Sequence, residues 1–89
     1  MKIETKYDVI EFVTKTYIAP KFDSDDQYKN ALLMFEDALK DCELKHLKKC
    51  VAMMKREHNS WWWPTPAALR GWSGVEWLPH ERAQGYRDN

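Results

Sequence analysis

Apolar residues open the chain at three- and four-residue steps: Ile3, Tyr7, Ile10, Val13 and Tyr17, with Val9 and Phe12 widening the same face. That is one side of a 3.6-residue period, and it predicts a helix over residues 4–18. Val9, Ile10, Val13, Thr14 and Thr16 are β-branched, which lowers helix propensity, so a strand is the alternative here. Pro20 limits the element by disfavouring helical geometry at Ala19. A loop over 19–24 follows. Ser24 is a suitable N-cap, Gln27 completes a capping box, and Asp25 and Asp26 fall in a first turn that favours negative charge. Tyr28, Ala31, Leu32, Phe35, Ala38 and Leu39 then form a regular stripe, predicting a second helix from 25 to about 40.

Asp41 is placed to cap a third helix from 42 to about 58. Its inner face is Leu44, Leu47, Val51 and Met54. Lys45, Lys48, Lys49, Lys55 and Arg56 lie mostly off that line. Lys55, Arg56 and His58 fall in the last turns, where the dipole favours cations, and Asn59 suits a left-handed end. Almost no loop separates helices two and three, so the pattern predicts that they pair as an antiparallel hairpin. Thr65 as N-cap with Pro66 at the first helical position starts a short fourth helix through Ala67, Ala68, Leu69 and Arg70, ended by Gly71 or Gly74.

The chain has 89 residues, which allows one domain. The fold class is all-α: a single small domain of four helices, extended at most by a fifth short turn near 79–85, around the central antiparallel hairpin. Residues 1–78 make the helical domain and 79–89 a polar C-terminal tail. The expected core is Tyr7, Ile10, Val13, Leu32, Phe35, Leu39, Leu44, Leu47, Val51 and Met54.

The formal charge is zero but unevenly spread. Residues 1–41 carry 6 bases and 9 acids, and residues 42–60 carry 5 bases and 2 acids. A chain living on phosphate contacts would be basic overall. The split suits either oriented docking on another protein or charge pairing within the fold. No stretch is long and apolar enough for a membrane span, and Glu4, Asp8 and Glu11 interrupt any signal-peptide pattern. Cys42 and Cys50, on one helix, would stand about 12 Å apart, beyond the roughly 7 Å a disulfide tolerates, which fits a cytoplasmic setting.

Candidate chemistry is sparse. Cys42, His46 and Cys50 step by four along the third helix, but three ligands on one rod fall short of a structural zinc set, and no metal is expected. They are placed as solvated or flanking positions. Asp23, Asp25 and Asp26 lack EF-hand spacing. No Gly-rich phosphate loop is present, Ser60 and Ser73 lack evident His and Asp partners, and His80 and Glu81 sit in the tail. The reading is therefore not an enzyme, with no cofactor.

The distinctive feature is aromatic: five tryptophans, of which Trp61, Trp62 and Trp63 are consecutive, with Trp72 and Trp77 following. Adjacent side chains on extended backbone point to opposite faces, so the three indoles do not all enter the core. All five packing inside is one reading. The other leaves some as anchors for a partner protein, with Arg70 beside them, since Trp and Arg are enriched among hot spots. Partner-binding candidates are thus Trp61, Trp62, Trp63, Arg70, Trp72 and Trp77. Single-stranded nucleic acid on Lys48, Lys49, Lys55 and Arg56 is the alternative.

The Tyr28–Leu39 stripe ending in Ala38-Leu39-Lys40-Asp41, then Leu44-Lys45-His46-Leu47, then Trp63-Pro64-Thr65-Pro66-Ala67-Ala68-Leu69-Arg70, resembles the small helical domain of phage replicative-helicase loaders and inhibitors and related phage replication proteins. The resemblance spans roughly residues 7–72. It departs where that family often has an acidic residue in place of Ala68 or Leu69 and a Trp in place of Tyr28. It implies a non-enzymatic module, in the host cytoplasm, that loads or inhibits a nucleic-acid-handling machine. Inhibition of a host defence nuclease, in the manner of anti-CRISPR proteins, is a further alternative on such a scaffold. A monomer and a dimer are both compatible with the pattern.

Overall fold

The computed structural model describes residues 2–75. Four helices form: α1 (Lys6–Thr16), α2 (Asp25–Ala38), α3 (Leu44–Glu57) and α4 (Pro66–Ser73). The fold is all-α. Trp77, the expected turn near 79–85 and the tail 79–89 lie outside the described residues.

Residues 6–16 are helix and not strand. The Asp8 carboxylate fixes the start, accepting from the backbone N–H of Glu4 at 2.8 Å and of Thr5 at 2.9 Å. These bonds to its charged form hold the Asp8 pKa below the usual carboxylate value. Val9, Ile10 and Val13 are the buried face of α1. Tyr7, expected in the core, is 60% exposed. At about 100° per residue it falls roughly 115° from the centre of that face.

α2 starts as anticipated, with Ser24 Oγ accepting from Gln27 N–H at 3.2 Å. α3 does not. Its N-cap is Glu43 and not Asp41, and the Glu43 N–H donates to His46 Nδ1 at 3.0 Å. Asp41 instead takes a left-handed φ of 62° in the connection, a conformation that Asp tolerates better than most residues. At the far end His58 leaves the helix in extended conformation, and Asn59 has no positive φ. α4 opens as its sequence dictates, with Thr65 Oγ1 accepting from Ala68 N–H at 3.1 Å and Pro66 in the first turn. Gly74, φ 80°, ends it. A Cβ there would lie 2.9 Å from Lys49 Nζ.

The expected hairpin is not formed. No Cα of α2 comes within 8 Å of one of α3, whereas α4 packs against both. α1 also packs on both α2 and α3. Leu69, Arg70 and Ser73 of α4 are buried. Arg70 Nη1 donates to Ala38 O at 3.2 Å and to Lys40 O at 2.7 Å, closing the carbonyl end of α2. Cys50 Sγ lies 3.5 Å from Leu69 O on the α3 side. The short connection thus turns the chain but leaves room for α4 to lie between its neighbours.

The core joins Ile3, Val9, Ile10, Val13, Phe35, Leu39, Leu47, Cys50, Val51, Met54 and Leu69. Two sequence placements on α3 are corrected. Leu44 is 46% exposed, because it occupies the first position of the helix, and Cys50 is fully buried. The buried arc of α3 centres near Met54, and Cys50 sits about 40° from it, well inside. Cys42 is half-buried against the same cluster. Both thiols are free. Among the described residues no three His, Cys, Asp or Glu side chains are grouped to hold a metal, and no helix is long and apolar enough to cross a membrane.

Two outcomes follow. Replacing Arg70 with Met leaves the Ala38 and Lys40 carbonyls without their charged donor, and urea unfolding should show a loss of about 2–4 kcal/mol. Burial pushes the Cys50 thiol up to about 12, well above the ordinary thiol range. The folded state then holds a proton that the unfolded chain gives up above pH ~9, so this contribution is full below that pH and is lost as pH rises toward ~12. Stability measured across that window should fall more steeply for the native chain than for Cys50→Ala.

Candidate functional site

The segment after α3 is extended and is tied down at three points. Ile18 N–H donates to Trp61 O at 2.7 Å, and Trp63 N–H donates to Ile18 O at 3.0 Å, forming an isolated parallel bridge between Ile18 and Trp62. His58 Nε2 meets Trp62 O at 2.7 Å, and Ser60 Oγ accepts from Trp62 N–H at 3.2 Å. The His58 ring is itself fixed edge-on between Tyr17, at 4.8 Å, and Trp72, at 5.7 Å. Burial raises the Tyr17 pKa.

This tethering sorts the indoles. Trp63 turns inward among Phe22, Tyr28 and Phe35, with ring centroids 5.8, 5.9 and 5.6 Å away. Its Nε1 is buried and meets no acceptor among the described residues. Trp61 and Trp62 stay outside, 80% and 57% exposed, and Ile18 beside them is 53% exposed. A notch of about 320 Å³, lined by Thr16, Tyr17, His58, Asn59, Ser60 and Trp61, opens at their foot. The result is two large apolar side chains held on a fixed backbone in water, an arrangement that offers buried area to a partner at low ordering cost.

The other candidates are placed differently. Trp72 is half-buried against the core. Arg70, expected beside the indoles as an anchor, is 2% exposed and is committed to the α2 carbonyls. Lys48, Lys49, Lys55 and Arg56 are all exposed on α3. Lys55 Nζ lies 5.5 Å from the Phe12 ring centroid.

Sequence reasoning missed three contributors. Ile18 and His58 act through backbone pairing and ring contacts that no local pattern announces. The third is on α2, where Leu33 and Met34 are 57% and 59% exposed. They line an apolar depression of about 570 Å³ with Ala38, Pro66 and Ala67, and Asn30 and Asp37 are its polar members. A smaller hollow of about 240 Å³ beside Trp63 shares Met34 and Pro66 with it. The available signal was two bulky apolar residues lying off an already complete stripe.

Comparison with known protein families, with characterised proteins and with solved structures finds no match to this chain.

Acrylamide quenching tests the sorting of the indoles. Trp61→Phe and Trp62→Phe should remove the readily quenched fluorescence of residues 2–75 and leave the thermal melt nearly unchanged. Trp63→Ala should cost about 2–4 kcal/mol, because it empties a ring site against Phe35.

Proposed function

We propose that the chain is a non-enzymatic protein-binding module that docks through the Trp61–Trp62 edge. The carrying observation is the exposure of two adjacent indoles on a segment pinned by Ile18 and His58. Exposed apolar side chains scattered singly need no explanation, but three large ones, Ile18, Trp61 and Trp62, exposed around one hydrogen-bonded bridge are what interfaces use. Rigid indoles lose little entropy on docking, so each contributes most of its buried area.

The segment that follows, Trp63-Pro64-Thr65-Pro66-Ala67-Ala68-Leu69-Arg70, supports a more specific reading through its resemblance to phage helicase loaders and inhibitors. On that reading the partner is a nucleic-acid-handling machine such as a replicative helicase, and the module acts by loading or inhibiting it.

The test uses purified replicative helicase and this chain in a binding titration. The native chain should bind, and Trp61→Ala/Trp62→Ala should weaken binding at least a hundredfold while the circular dichroism melt is retained, since paired hot-spot truncations cost about 2 kcal/mol or more each. Failure of the native chain to bind removes the helicase as partner. Equal binding by the folded double variant removes the indole edge as the docking surface.

A further inference from the structure

We infer that the cleft between the N-terminal segment and α3 is a second binding site, which takes an acidic, aliphatic-rich peptide segment of a partner protein. The cleft has a volume of about 630 Å³ and is lined by Lys2, Ile3, Lys48, Val51, Ala52, Lys55 and Arg56. Its apolar members are Ile3, Val51 and Ala52, and the other four are cations.

The charge around it is unbalanced. Lys2 pairs with Glu4 at 3.2 Å. Lys55 lies over the Phe12 ring. Lys48 and Arg56 have no carboxylate within 4 Å among the described residues, and α3 carries acids only at its ends, as Glu43 and Glu57. Long basic side chains often fold their stems across apolar surface and cover it. Ile3 and Val51 belong to the core and show only their outer edges here, so the open apolar floor is those edges with the exposed Ala52, lying below Lys48 and Arg56, which lack local counter-charge. A ligand matching both features carries aliphatic groups and carboxylates together.

The lining also separates peptide from nucleic acid. Single strands bind on aromatic platforms that stack the bases. Among the described residues no aromatic ring lines this cleft, and the exposed Trp61 borders a different notch. The chain as a whole is neutral, which deprives it of the long-range attraction that phosphate backbones exploit. Aliphatic walls suit Leu, Ile or Val side chains instead. Lys48 and Lys55 are seven residues apart, about 10.5 Å along the helix axis. An extended peptide repeats nearly that distance every three residues, and a helical one every seven.

The experiment is fluorescence anisotropy of the whole chain with a fluorescein-labelled peptide of repeated Glu-Leu-Leu triplets, which sets a carboxylate at every third position, and with a labelled oligo-dT strand for comparison. The peptide should bind in the micromolar range at low salt and weaken as salt rises. Lys48→Glu/Arg56→Glu should lower its affinity about tenfold. Ala52→Trp, which fills the exposed apolar wall without altering charge, should lower it as much. Trp61→Ala/Trp62→Ala should leave it unchanged, which separates this site from the indole edge. The proposal is overturned by absence of peptide binding at low salt, by wild-type affinity in both folded cleft variants, or by oligo-dT binding more tightly than the peptide.

Discussion

Arg70 reaches back across 30 residues of sequence to the Lys40 carbonyl, and across 32 to that of Ala38. The first carbonyl lies in the turn that follows α2 and the second at its last residue, where the last backbone acceptors of a helix have no partners within it. A buried guanidinium that supplies them does two things together. It satisfies groups that would otherwise be costly to bury, and it fixes the azimuth of α4 about its own axis. With α4 fixed, Leu69 faces Cys50 on one side while the α2 contact is kept on the other. The segment that enters α4, carrying the three consecutive indoles, then has little freedom in where it runs. Upstream, the pairing with Ile18 and the bond from His58 hold the indole segment where it joins this fixed helix.

How far the sequence foretold this differs from element to element. All four helices were legible, because stripe, cap and proline signals agree locally: Ser24 with Gln27, and Thr65 with Pro66, act as their positions suggest. The choice of helix over strand for α1 was not legible from Val and Thr content. It was decided by Asp8 closing the first turn and by a face complete enough to be buried. The faces themselves were read less well. Tyr7 and Leu44 have the right spacing but sit outside the buried arc, and Cys50 was set aside as flanking although it lies within it. A stripe drawn through the largest side chains misses a small residue at the centre of contact.

The pairing of helices was the larger error, and its cause is tertiary. A short connection implies neighbours in sequence that pack together, yet α4 takes the place between α2 and α3. Nothing local announces this, because the signal is one arginine whose side chain is read from sequence as a surface or interface group. The same arginine was assigned to the partner-binding set. Its burial and the exposure of the indoles just upstream of α4 are two sides of one arrangement. Leu33 and Met34 follow the same logic. They look like surplus core residues, and they become surface because α4, and not α3, covers α2.

Two histidines sit at opposite ends of α3 and use their rings in opposite senses. At the start, His46 Nδ1 accepts a hydrogen bond from the Glu43 backbone N–H, a role that a protonated ring nitrogen is unable to fill. At the finish, His58 Nε2 faces a carbonyl oxygen and must donate, which the neutral tautomer and the imidazolium both do. One helix is therefore fastened at both ends by an imidazole, to an amide at the start and to a carbonyl of the indole segment at the finish. Losing the second ring costs the indole segment its tie to α3 but not its pairing with Ile18.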